Sequence, residues 1–366
     1  MSKRNYGIDL MKSLSMFMVV LLHVFTQGNA LNSATLSINN IAAYLFVIPL
    51  YCAVNCYALI SGYVLFSTKP SARKLVPLWL QALFYSVGIT LFFFFFRPEY
   101  AGAKTLFYSF FPISKKQWWY LSSYFGVYLL APLMNLAVEK APRKTLSFSL
   151  AGLFALICIF STLMLSDPLR AGSGYTTFWL CLMYLLGAYI KKYQCFSSKK
   201  KTPFVLTFFA LIVITLLSRL ALHCLSDTIL AHFTKKNMLL SYTSPTIVGC
   251  ALCLLAIFSN IQLRGAAQKI VSFVTPASLG VYLIHVHPLV FKHVIKNFAK
   301  DFPSEILPVF LGKAILSALV IFLVCLFVEC LRIQIFKWLK LDKLCNLIYN
   351  KSKAICTQLY HKCTGE

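Results

Sequence analysis

Long apolar runs alternate along the chain with short polar or basic gaps, and each run is near the ~20 residues a helix needs to cross a bilayer. Ten such runs occur, at 8–28, 42–66, 75–96, 118–138, 146–166, 175–192, 203–224, 239–259, 277–297 and 306–331. The fourth is rich in Tyr and Ser, and the sixth is short. No long polar segment interrupts the series, and no internal repeat is evident. The pattern predicts an all-α, polytopic membrane protein with about ten transmembrane helices, spanning residues 1–332. The remaining stretch, 333–366, mixes Ile, Leu and Trp338 with lysines. It predicts a basic amphipathic helix lying on a membrane surface.

The first run carries a polar stripe. Asp9 and Lys12 stand three residues apart, and Lys12 and His23 eleven, spacings that both return to nearly the same helical face. Asp9, Lys12, His23 and Gln27 therefore share one side, with Lys12 and His23 ~16 Å apart along the axis. The other sides are Leu, Met, Phe and Val. Charged groups in hydrocarbon cost a few kcal/mol or more, so this stripe must face protein or water. The other runs then read as walls around it.

Composition sharpens the class. The chain is 59% hydrophobic and only 12% charged, which excludes an ordinary soluble domain and a disordered chain. A net charge of +25 in a soluble protein would suggest nucleic acid. Here the basic residues cluster in the gaps between runs, which points to topology and to anionic membrane lipids, with no nucleic-acid partner. Most of the 35 lysines and arginines fall on the side of the N-terminus, placing both termini in the cytoplasm. Lys292, Lys296 and Lys300, at the outer end of the ninth run, go against that bias. Basic residues before an apolar run also fit a secretory signal, but cleavage there would discard Lys12 and His23, so the run reads as a retained span. Most of the thirteen cysteines lie inside apolar runs, and Cys250-x-x-Cys253 has no accompanying histidine, so free thiols are expected.

Several short motifs occur in a familiar order. Lys12 and His23 resemble a basic-x10-His signature, and Ile8-Asp9-Leu10-Met11-Lys12 resembles the I-D-x-x-R entry before it. Ile60-Ser61-Gly62-Tyr63 is similar to an ISGY segment, and Arg73 sits where a pair of arginines is usual. Trp118-Trp119-Tyr120-Leu121, Tyr128 to Leu133, Tyr184 to Tyr189 and Ser278-Leu279-Gly280-Val281-Tyr282-Leu283-Ile284-His285 complete the set, with Glu329 before the last basic stretch. Together these resemble the acyltransferase-3 family of integral membrane O-acyltransferases over nearly the whole chain. Lys12 departs from the family's usual Arg, losing a bidentate fork for phosphate but keeping the charge.

The resemblance implies transfer of an acyl group, usually acetyl from acetyl-coenzyme A, to a hydroxyl of a cell-envelope sugar, polysaccharide or lipid-linked acceptor, in the bacterial plasma membrane. Some members carry an extra extracytoplasmic domain. Without room for one here, the expectation is direct acylation or delivery to a separate extracytoplasmic acyl-accepting protein. His23 becomes the candidate base or acyl carrier, since imidazole near neutrality does either. Asp9 and His285 are the other catalytic candidates, Asp9 as a partner that aims Lys12 and His285 as an orienting or proton-relaying group. Lys12, Arg73 and Lys74 are candidates for the donor's phosphates, or else positive-inside anchors. Trp118, Trp119 and Tyr120 are candidates for a wall against the sugar or acyl chain, or an ordinary aromatic belt. Glu329 is a candidate substrate contact or an interfacial residue. His223, His232 and His293 lie near loop ends and carry no assigned role. No metal is expected, because no carboxylate joins His23, His285 and His287. The rival class is a transporter or flippase whose polar stripe lines a permeation path.

Overall fold

The computed structural model describes residues 4–31, 37–68, 71–197, 200–224 and 237–364, among which every regular element is helical. Helix α1 spans Tyr6–Thr26, and Asn5 caps it by accepting from the backbone N–H groups of Gly7 and Ile8. The second apolar run gives α2 (Ile38–Leu50) and α3 (Ala53–Thr68), separated by a kink at Tyr51 and Cys52. Pro49, two residues before the kink, weakens the helix leading into it: it has no N–H for the preceding turn, and its ring crowds the carbonyl four residues back. Helix α4 covers Leu75–Phe96, α5 Ala103–Ser109 and α6 Trp119–Lys140. Helix α7 is Arg143–Met164, widened by a π-helical turn at Ala155–Phe160. Then come α8 (Thr177–Tyr193), α9 (Thr202–Cys224), α10 (Pro245–Ser259), α11 (Gly265–His285), α12 (Leu307–Trp338) and α13 (Leu341–Thr364).

Among the described residues, eight segments are long and apolar enough to cross a membrane: α1, the kinked α2–α3 unit, α4, α6, α7, α9, α11 and α12. The chain is an all-α, multi-pass membrane protein. The two other expected spans are α8, of 17 residues, and α10, of 15. Both are walled by protein. Trp179, Met183, Tyr184 and Ala188 of α8 and Ile247, Cys250, Ala251 and Leu255 of α10 are fully buried. A helix clad by its neighbours need not match the hydrocarbon thickness that a lipid-facing one must.

The ninth and the last spans depart furthest from those the hydropathy pattern predicts. The ninth span was expected at 277–297 and lies instead at Gly265–His285. Gln268, Lys269 and Thr275 dilute the apolar signal of its first half, and Pro276, which reads as a helix start, lies inside the helix. After His285 the chain breaks into a short turn at Pro288–Val290 and a wide turn at Phe291–Ile295. Lys292, Lys296 and Lys300 therefore follow the span instead of ending it. The last span runs seven residues past the expected 331, to Trp338.

Helix α1 is the hub, packed against α2, α3, α10, α11 and α12. Helices α3 and α8 form the tightest pair, because each presents a glycine to the other's backbone. A methyl group at Gly62 would lie 1.9 Å from the Tyr184 carbonyl oxygen, and one at Gly187 would lie 2.2 Å from that of Leu59. Such close approach is the usual means of packing helices where lipid supplies no hydrophobic drive.

Helices α1 and α11 run parallel in a fixed register. Ser13 Oγ and Thr275 Oγ1 are 2.9 Å apart, and the His23 and His285 rings meet with the same offset of 262 residues. One end of the bundle gathers the start of α1, the 71–74 turn and α13, where Arg73 Nε donates to Asn346 Oδ1 at 2.8 Å. The opposite end gathers the end of α1, Tyr175, Tyr242 and the segment after α11.

Gly62→Ala should lower stability by about 1–3 kcal/mol, the usual cost of overpacking, because the new methyl meets backbone and cannot be relieved by a rotamer change. Thermal unfolding in detergent, read by a thiol-reactive dye on buried free cysteines such as Cys52 and Cys56, measures it.

Candidate functional site

Asp9, Lys12, His23 and Gln27, the four polar residues of the α1 stripe, all line one cavity of about 550 Å³. Its other walls come from α3 (Tyr57, Ser61), α6 (Trp119, Tyr120, Tyr124) and α11 with its extension (Tyr282, Val286, Phe291). Tyr175 and Tyr242 line the far end. From Asp9 to Gln27 is eighteen residues of helix, ~27 Å, so the cavity follows α1 for most of a bilayer's thickness.

His23 and His285 form a pair whose protonation the structure assigns. His285 Nδ1 lies 2.5 Å from the carbonyl oxygen of Val281, one turn earlier in α11. A carbonyl only accepts, so Nδ1 carries the hydrogen and the Nε2 of neutral His285 is an acceptor. His23 Nδ1 lies 3.1 Å from that Nε2, so it must donate. The free lone pair of His23 is thereby placed on Nε2, which has no protein partner among the described residues. His285 is fully buried, while His23 is half-buried and reaches the cavity. Phe291 packs edge-on to the His23 ring, with centroids 5.1 Å apart.

His287 belongs to a separate chain. Its Nδ1 accepts from the Leu289 N–H at 3.3 Å, which leaves Nε2 as the donor. Nε2 lies 2.7 Å from the Gln117 amide, which must then present its oxygen to it. With the amide turned to satisfy this, the Gln117 nitrogen faces Ser86 Oγ, whose hydroxyl donates to the Ser109 carbonyl at 2.6 Å. Each group in this chain has one consistent role. His287 and His285 are thus committed to different partners, although only Val286 separates them.

The sequence candidates divide sharply. His23, His285, Lys12, Asp9, Trp119 and Tyr120 converge on the cavity or its immediate wall. Asp9 makes its direct ion pair with Arg4, at 2.5 Å, while lining the same cavity as Lys12. Trp118 is buried beneath the wall, its ring 5.8 Å from that of His287. Arg73 and Lys74 are exposed on the turn before α4 and do not line the cavity, although Leu78, one turn on from Lys74, does.

Glu329 also lies off the cavity. Its carboxylate is fully buried and accepts from Tyr85 Oη at 2.6 Å, Gln81 Nε2 at 3.0 Å and the Arg332 guanidinium. A methyl group at Gly280 would meet that carboxylate at 2.2 Å. Gly280 thus leaves room for the ion pair that clamps α12 and α4 onto α11. His232 lies outside the described residues.

Sequence reading passed over Tyr57, Tyr124, Tyr175, Tyr242, Tyr282 and Phe291. A signal existed for Tyr124, which follows Tyr120 by one helical turn with its ring stacked 6.2 Å away. Tyr282 lay inside a quoted motif. Tyr175, Tyr242 and Phe291 come from connections between helices and had none.

The comparison with protein families decides the class. A model of the family described as "Acyltransferase domain" matches residues 5–330. The chain belongs to the acyltransferase-3 family. No match was found among curated proteins or among solved structures. The matched region begins with the Asn5 cap of α1 and takes in both histidines of the pair, so the family assignment and the cavity concern the same part of the molecule.

Glu329→Leu should destabilise this acyltransferase by about 3–5 kcal/mol, because the buried Tyr85 and Gln81 lose their acceptor and the part-buried Arg332 its counter-charge. Replacing both Glu329 and Arg332 with Leu should recover the Arg332 share of the loss. Unfolding temperatures of the single and double variants in detergent separate the two outcomes.

Proposed function

We propose that this chain is an O-acyltransferase of a bacterial plasma membrane, taking acetyl from cytoplasmic acetyl-coenzyme A to a hydroxyl of a cell-envelope sugar, polysaccharide or lipid-linked acceptor. The observation that carries the reading is the oriented free Nε2 of His23 in a cavity reaching from Lys12 to Tyr175 and Tyr242. The donor enters at the Lys12 end, and the excess of basic residues on that side supports its facing the cytoplasm. Lys12 supplies a positive charge inside that mouth, and Arg73 and Lys74 add charge outside it, where coenzyme A phosphates would lie. The ~16 Å between Lys12 and His23 suits an extended pantetheine arm, and the apolar side chains between them, Met16 and Val19, suit its body.

The acceptor enters from the opposite end, where Trp119, Tyr175 and Tyr242 form an aromatic cluster with ring centroids 4.7 to 6.2 Å apart. Such faces stack on the C–H side of a sugar. His23 Nε2 takes the acceptor hydroxyl's proton as its oxygen attacks the thioester carbonyl. The carbon–oxygen bond forms, the carbon–sulfur bond breaks, and the departing thiolate recovers the proton. His285 holds the tautomer that makes Nε2 the base, so it is a positioning residue. A transporter of this shape would instead move substrate without breaking the thioester.

In liposomes supplied with radiolabelled acetyl-coenzyme A, the parent should transfer or release acetyl, and His23→Ala should lose on the order of 10²–10⁴-fold. Intact donor in every reaction, or a folded His23→Ala variant as active as the parent, would falsify the assignment. A stable acetyl label on the parent, absent from His23→Ala, would identify His23 as the acyl carrier. His285→Phe should lower kcat by ~10²-fold with little change in KM, because donor binding is left intact while the base loses its orientation.

A further inference from the structure

Phe291 is the cavity residue that sits against the reacting nitrogen's ring and that no part of the reaction uses. Its ring stands edge-on to His23 at an interplanar angle of 79°. It lies on the far side of His23 from Lys12. Helix α11 ends beside His23, at His285, and the chain after it goes on to the end of α1. There Asn297 N–H donates to the Gln27 carbonyl at 2.9 Å and Ala299 N–H to that of Gly28 at 2.9 Å.

The wall is also held at its other end. Phe291 N–H donates to the His287 carbonyl at 2.7 Å, and His287 is itself fixed by Gln117 and Ser86. With the segment tied at both ends, the backbone that carries the ring cannot shift away from the cavity without breaking these bonds.

We propose that Phe291 sets the length of the acyl group this chain accepts. The inference rests on the acyltransferase reading given above. A donor entering from Lys12 places its sulfur on that side of His23. The acyl carbons, on the other side of the carbonyl, then run toward Phe291 and Val286. A methyl group ends before the ring, whereas further methylenes must displace it. The path from Lys12 to His23 is taken by the donor's own arm, so the acyl chain has only the space on the Phe291 side of His23.

The test compares coenzyme A release from acetyl-, butyryl- and hexanoyl-coenzyme A in detergent, counting only release that is lost in the His23→Ala background. The hexanoyl-to-acetyl ratio should rise on the order of 10-fold or more in Phe291→Ala. Phe291→Leu, the gentler change, should give an intermediate ratio and guards against a misfolded alanine variant. A ratio unchanged in both variants, whether or not the rates fall, overturns the proposal and leaves Phe291 as a prop for His23. A parent that already uses hexanoyl as well as acetyl overturns it too. Absence of His23-dependent release from every donor overturns the acyltransferase reading first, and this proposal with it.

Discussion

Two parallel helices locked in register make the site possible. Ser13 meets Thr275 and His23 meets His285, the two contacts ten positions apart on each helix. A hydrogen bond between buried polar groups is worth only about 1 kcal/mol net, but leaving its partners unpaired in a dry bundle costs more. The two contacts therefore act mainly by penalising any other register. A one-residue slip of α11 would turn His285 by about 100° around its axis and leave the His23 Nδ1–H with no acceptor. The packing of α1 among five other helices then becomes a way of holding one imidazole at one angle.

The same demand explains the buried charge in α12. Glu329 and Arg332 face into the bundle against α4, and Gly280 of α11 makes the space. Buried ion pairs are weak stabilisers, since desolvation offsets most of the attraction. They are strong discriminators, because an unpaired member is costly wherever it goes. Gly280 and His285 are five residues apart on α11. Fixing the helix at Gly280 limits both its depth and its rotation at His285. The pair reads as a determinant of α11's position, which is why a carboxylate in an apolar helix does not mark a substrate site here.

The polar stripe of α1 was legible in the sequence because helical periodicity is a local property. Asp9, Lys12, His23 and Gln27 needed only a turn length to be placed together. Helix existence was legible for the same reason, and boundaries failed where local rules compete: Lys269, Thr275 and Pro276 hide the first half of α11. What stayed invisible was everything set by partners far along the chain. Nothing near Glu329 reveals Tyr85 and Gln81. Tyr175, Tyr242 and Phe291 stand on connections whose course is fixed by the helices they join, so their arrival in one cavity is a tertiary fact.

These contributions also explain the polarity of the site. Along α1 the lining changes from charged (Asp9, Lys12) through apolar (Met16, Val19, Leu22) to imidazole, and then to the aromatic cluster of Trp119, Tyr175 and Tyr242. A permeation path for one solute would favour similar groups at both mouths, since the same molecule must be met at entry and exit. Unlike mouths suit two different molecules that meet in the middle and exchange a small group. The apolar stretch between Lys12 and His23 then has a physical use beyond packing. In the reaction proposed above it would seat the donor's pantetheine and keep solvent from the path to Nε2.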